Sequence, residues 1–157
     1  MNRPILDYAI DGRSQTTSGD PHAAVYISNQ VNLKNPATSL KVLISAFRDA
    51  SADFRVFYQL IRADGTDTEL KYNPFPGFDN LEDTDGDGFG DKVINSSNNN
   101  GRPDAKVIPS LEDEFKEYQF SIDNLEEFIG YKIKIVMSGT NEAKSPRFKD
   151  LRTIALA

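Results

Sequence analysis

Tyr131-Lys132-Ile133-Lys134-Ile135-Val136-Met137 is the stretch that decides the fold. Tyr131, Ile133, Ile135 and Met137 are apolar, and Lys132 and Lys134 stand between them. Successive side chains of a strand point to opposite faces, so a period of two predicts a strand with one face on a core. Working outward, Ser39–Arg48 repeats the alternation through Leu40, Val42, Ile44 and Ala46. Tyr118, Phe120 and Ile122 alternate with Glu117, Gln119 and Ser121, and a last strand follows Pro146 over about Arg147–Leu156. Val25, Ile27 and Val31 begin a further strand-like pattern, which Asn29-Gln30 interrupts. Phe54–Ile61 differs: Phe54, Val56, Tyr58 and Leu60 fill one face, and Phe57 and Ile61 fall on the other. A strand apolar on both sides predicts a central position covered twice, or one that meets a partner.

Asp123, with Glu126 three residues on, matches a capping box and predicts a short helical turn that Gly130 ends. Six or seven strands, one short helix and no βαβ spacing predict an all-β fold, an antiparallel jelly-roll-like β-sandwich. A chain of 157 residues, 38% of them hydrophobic, suits one domain that buries about 70% of its unfolded surface. Residues 1–22 are polar and turn-rich and read as an N-terminal arm, leaving 23–157 as the domain. A long irregular insertion occupies about 66–112. Its Tyr72-Asn73-Pro74-Phe75-Pro76-Gly77-Phe78 is too rich in Pro to continue a strand. Excursions of that length need something to organise them.

The net charge of −6 argues against a nucleic-acid-binding surface, which needs a basic face. No apolar run approaches membrane-spanning length, and no charged-then-apolar leader follows Met1. With no cysteine there is neither a disulfide framework nor a thiol nucleophile. Ser/His/Asp catalysis would rest on His22, the sole histidine, which sits beside Pro21 in a polar stretch and suits a surface role. The acids Glu112-Asp113-Glu114 and Glu126-Glu127 are adjacent in sequence rather than paired across a cleft. The expectation is a non-enzymatic protein.

The sharpest chemical signal is Asp83-Thr84-Asp85-Gly86-Asp87-Gly88-Phe89-Gly90-Asp91. Carboxylates at its first, third, fifth and ninth positions can converge on one hard cation, with glycines letting the backbone curl between them. Phe89, at the seventh, can offer a backbone carbonyl. An EF-hand would place a bidentate Glu at the twelfth position, where Ile94 stands. The aspartate spacing instead resembles the calcium repeats of thrombospondin type 3. Those repeats add an Asp at the twelfth position, so here the missing ligand comes from water, Asn95 or a remote side chain. The expected metal set is Asp83, Asp85, Asp87, Phe89 and Asp91, with Asn95 as an extra ligand and structural Ca2+ as the cofactor. An Asp/Gly surface turn without an ion is the alternative. A site filled only at millimolar calcium would favour an extracellular setting.

Tyr72, Phe75 and Phe78 are readable as a platform for stacking sugars or as anchors pinning the insertion to the sandwich. Lys144, Arg147, Lys149 and Arg152 form a basic cluster that reads as a solvated strand edge. Three stretches taken together carry a family resemblance. They are 39–48 with 54–60, 113–118, and 131–138 running on to 146–156. Their order resembles a β-rich domain of virion structural proteins in tailed phages with contractile tails, T4-like cyanophages among them. The resemblance implies a module of the tail, baseplate or fibre in an extracellular particle, with other virion proteins or further copies of itself as partners. It carries no functional residues across. The competing expectation is a calcium-dependent carbohydrate-binding module with a surface glycan as partner, and neither reading calls for membrane insertion or nucleic acid.

Overall fold

The computed structural model describes residues 24–62, 71–111, 114–139 and 146–157. The arm at 1–22 with His22, the turn at Ala63-Asp64-Gly65, Glu112-Asp113 and Lys144 lie outside the described residues.

The strand read from 131–137 extends at both ends to become β9, Phe128–Gly139. Along one edge of it run, in succession, β1 (Ala24–Ile27) and β2 (Val31–Ala37), both antiparallel. The break between them is bridged by Ser28, whose N–H donates to Ile133 O at 2.8 Å and whose Oγ accepts from Ile133 N at 2.9 Å. On the other edge of β9 lies β4, Ala52–Arg62, and beyond it the two-residue β5, Asn73–Pro74. A second antiparallel sheet places β3 (Ser39–Phe47) between β8 (Lys116–Ile122) and β10 (Arg147–Leu156). The protein is all-β and antiparallel, and among the described residues no helix is long and apolar enough to cross a membrane.

One core joins the two sheets. Leu40, Val42, Ile44 and Ala46 of β3 with Tyr118, Phe120 and Ile122 of β8 meet Phe54, Val56 and Tyr58 of β4 with Tyr131, Ile133 and Ile135 of β9. Each of these sets has the period of two seen in the sequence. Aromatic pairs tie the layers: Phe54 packs edge-on against Tyr118 at 4.9 Å and against Phe148 at 5.0 Å. The doubly apolar β4 is a central strand, flanked by β9 and β5, and its outer face is covered too. Phe57 there forms a small second cluster with Tyr72 and Val136.

The helical turn expected at 123–130 is absent. Asn124 adopts a left-handed conformation, Leu125 N–H donates to Thr38 O at 2.9 Å, and the chain turns a corner straight into β9. Burial of Phe128 in the core outweighs the capping signal, because the chain must be extended to bring that ring inward. Gly130 marks a close approach within the strand rather than a helix stop: a Cβ there would lie 3.1 Å from Val31 O. The short helical pieces occur in the insertion instead, as 3-10 turns at Phe78–Asn80 and Ser96–Asn98.

The insertion is organised largely by the protein itself. Phe75 enters the main core, 5.1 Å from the Tyr58 ring and 6.0 Å from Phe120, and Tyr72 caps the second cluster. Backbone bonds lace the segment onto β4: Phe75 N to Val56 O, Gly101 N to Phe75 O and Val56 N to Gly101 O. Buried Asn80 donates to Pro76 O at 3.0 Å and Asn98 O at 2.8 Å, so its polar side chain is satisfied where water is excluded.

Candidate metal centre

Two short strands, β6 (Leu81–Glu82) and β7 (Lys92–Val93), pair antiparallel and clamp the base of the aspartate loop. Asp91 N–H donates to Glu82 O at 3.0 Å and Gly90 N–H to Asp104 O at 3.2 Å, fixing where the loop re-enters the fold. Gly90 is buried with no room for a side chain, since a Cβ would overlap Leu81. Gly86 and Gly88 serve the curl itself, at φ 78° and 91° with open space beside them.

Inside the loop the carboxylates fold back onto the backbone. Asp83 accepts from Gly86 N and Gly88 N, both at 2.8 Å, and Asp91 accepts from Thr84 N at 3.1 Å and from the Thr84 hydroxyl. One oxygen each of Asp83, Asp85 and Asp91 then lies within 4.8 Å of the others. Oxygens bound to one calcium at about 2.4 Å can stand at most about 4.8 Å apart, so these three suit a shared ion. All three are exposed, leaving water free to supply further ligands.

The charge pattern agrees with that crowding. The N–H of Gly88 stabilises ionised Asp83 and holds its pKa below the usual range. Asp85 goes the other way. The Asp87 N–H pulls its pKa down, but partial desolvation and the adjoining Asp83 and Asp87 carboxylates outweigh it. Acids this close titrate together rather than singly, and a divalent cation relieves the repulsion.

Two of the other expected ligands direct side-chain oxygens elsewhere. The Asp87 carboxylate accepts from Phe89 N at 2.8 Å and is not one of the converging three. Asn95 uses its side-chain oxygen on Ser97, accepting from N at 3.2 Å and Oγ at 2.7 Å, as the cap of the 96–98 turn. Of the three aromatics, Tyr72 and Phe75 are fully buried and cannot present faces to a sugar, which leaves only Phe78 partly exposed. In the basic cluster Arg147 lies 4.5 Å over the Phe47 ring, Lys149 4.9 Å over Phe115, and Arg152 pairs with Glu117 at 3.3 Å. These bases occupy β10, a sheet edge.

Asp104 gave no signal in the sequence, standing singly after Gly101-Arg102-Pro103. It is buried against β8, where its carboxylate accepts from Ser121 N at 2.9 Å, Gln119 Nε2 at 3.1 Å and the Ser121 hydroxyl. Burial still pushes its pKa up to about 6. Through its carbonyl on Gly90 N, this residue joins the aspartate loop to the sandwich. Comparison with protein-family models, curated proteins and solved structures finds no match to the chain.

Proposed function

We propose that this protein is a non-enzymatic structural module whose 83–91 loop is hardened by bound Ca2+. The observation that carries the reading is the convergence of Asp83, Asp85 and Asp91 at the tip of a clamped hairpin. The ion acts as a staple. It neutralises carboxylates that otherwise repel and stiffens the exposed tip of the loop. A signalling role fits poorly, because among the described residues only the one-turn 3-10 pieces at Phe78–Asn80 and Ser96–Asn98 flank the loop, with no pair of longer helices to be opened. The fold is taken as a jelly-roll derivative, since β2, β3 and β4 alternate between the two sheets and β8, β9 and β10 return alternately beside them. Together with the packing stretches at 39–60 and 131–156, that supports a place among tail or baseplate components of a phage particle. There, edge strands and stiffened loops would contact neighbouring subunits.

The test is thermal melting with calcium and with EDTA. Chelation should lower the wild-type midpoint, and Asp85→Ala should erase the difference between the two conditions. Identical wild-type curves with and without calcium would rule the staple out. Gold-labelled antibody on particles from the source then addresses the assembly half of the reading, and label at the tail or baseplate supports it. The carbohydrate-binding alternative rests on Phe78 alone, the one aromatic of the three that reaches a cleft. Glycan retention lost in Phe78→Ala at an unchanged melting midpoint would favour that alternative.

A further inference from the structure

The sheet β8–β3–β10 sends Leu40, Val42, Ile44 and Ala46 of β3 into the core, so the residues between them face outward. Two contacts cross that outer face from β10 to β8. Arg152 pairs with Glu117 at 3.3 Å, and Lys149 Nζ lies 4.9 Å over the Phe115 ring. Beside Leu43 the face is apolar, with Ile154 43% exposed.

Charge is divided along this face. At the Phe47 end stand Arg147, 4.5 Å over the Phe47 ring, and exposed Lys149. At the Ser39 end the aspartate loop leans over the sheet. A cleft of about 210 Å³ there gathers Asp85, Asp87, Asp91 and Asp123 about Ser39 and Lys41, four carboxylates to one cation. β3 holds nine residues, which at about 3.4 Å each sets the two ends about 27 Å apart. That exceeds the Debye length of about 8 Å at physiological salt, so neither end neutralises the other within one molecule.

We infer that two copies of the chain dock through this face about a two-fold axis near Leu43, the acidic end of each meeting the basic end of the other. A two-fold contact needs a patch complementary to itself, and a face acidic at one end and basic at the other is one. An unrelated acidic protein would satisfy the basic end alone, whereas a second copy satisfies both ends in one geometry. Addition of a strand along β10 is disfavoured, because Asp150 bulges there in a left-handed conformation among charged neighbours. The face measures about 27 Å by about 14 Å, about 400 Å² in projection, half the roughly 800 Å² per partner of a standard interface. The dimer is accordingly weak and held largely by charge. It uses the carboxylates of the loop and not an ion, so it stands apart from the calcium reading.

Sedimentation equilibrium of the whole chain tests it, run in EDTA so that calcium plays no part. Between about 10⁻⁵ and 10⁻³ M protein a reversible monomer–dimer equilibrium is expected, at least about tenfold weaker in 0.5 M salt than in 0.02 M as orders of magnitude. Lys149→Glu and Asp123→Lys, both at exposed positions outside the calcium set, should each weaken it by a similar factor. An equimolar mixture of the two variants should recover it, because the new glutamate of one then faces the new lysine of the other. That recovery also shows that both variants are folded. A monomer throughout, a dimer indifferent to salt and to Lys149→Glu, or a mixture no tighter than either variant alone would overturn the inference. So would species that grow beyond the dimer with concentration, since an open contact rather than a two-fold one produces those.

Discussion

Asp104 and the aspartates of the 83–91 loop are the same side chain in opposite circumstances. Asp104 is buried, and protein donors alone meet its carboxylate. Asp83, Asp85 and Asp91 are exposed and face one another, with backbone N–H groups meeting only part of their charge. Burial is what raises the pKa of the first, and mutual repulsion helps raise Asp85 in the second. A carboxylate completed by protein donors is a structural strut. Under the proposed function, carboxylates left facing each other are completed from solution, by a cation. The two sites touch through the Gly90–Asp104 backbone bond, so what stiffens one also bears on the anchorage of the other.

The sharpest way to break this contrast is to delete the strut. Asp104→Ala strands the partly buried Ser121 N–H and Gln119 amide and should cost about 3 kcal/mol, with or without calcium. Urea unfolding in both conditions measures it, and a loss below about 0.5 kcal/mol would show that Asp104 is not a strut.

Acid–base behaviour separates the two regions by sign. The Asp104 pKa in the folded protein, about 6, lies above its ordinary 3.8. Its contribution is therefore fully present below pH 3.8 and fades as pH rises through 6, by on the order of 3 kcal/mol at about 1.36 per unit. Asp83 runs the opposite way: its pKa is lowered, so its contribution is present at neutral pH and fades on acidification. In EDTA the stability of wild type should fall between pH 4 and pH 7. Asp104→Asn should flatten that slope, and a slope unchanged in this variant would mean that another group sets it.

Calcium sharpens the comparison further. At a concentration about one hundred times its Kd the ion should add about 2.7 kcal/mol to wild type at pH 7. It should add nothing to Asp85→Ala and the same amount to Asp104→Asn. The smallest effect belongs to the curl: Gly86→Ala puts a side chain at φ 78° with open space around it and should cost about 1–2 kcal/mol. Gly90→Ala, which collides with Leu81, should cost more, and a reversed order would contradict the packing at the loop base.

The strands were legible because alternation is local. Leu40, Val42, Ile44 and Ala46, or Tyr131, Ile133 and Ile135, announce a buried face whatever they pair with. Even the double cover on β4 was visible in Phe57 standing among the residues of the other face. The helix expected at 123–130 failed because a capping signal is worth about 1 kcal/mol and burial of Phe128 is worth more. In the loop, spacing named Asp83, Asp85, Asp87 and Asp91 alike as candidates, and the convergence of Asp83, Asp85 and Asp91 came only with the fold. Whether Asp87 and Asn95 join them depends on where the folded backbone carries their side chains, Asp87 beside Phe89 N and Asn95 onto the 96–98 turn. Asp104 and the cleft that Phe78 reaches were invisible for a related reason. Asp104 meets its β8 partners from 15 and 17 positions away, and the cleft draws on 48–54, 78, 102–107 and 118, which only the folded chain brings together.

The central claim is that the loop holds calcium, and calorimetric titration of Ca2+ into chelator-stripped protein tests it most directly. The account predicts one saturable site per chain, with Kd no weaker than the roughly 10⁻³ M of extracellular modules, absent in Asp85→Ala. No saturable heat up to about 10⁻² M, well above that range, or an Asp85→Ala titration that overlays wild type, would contradict it.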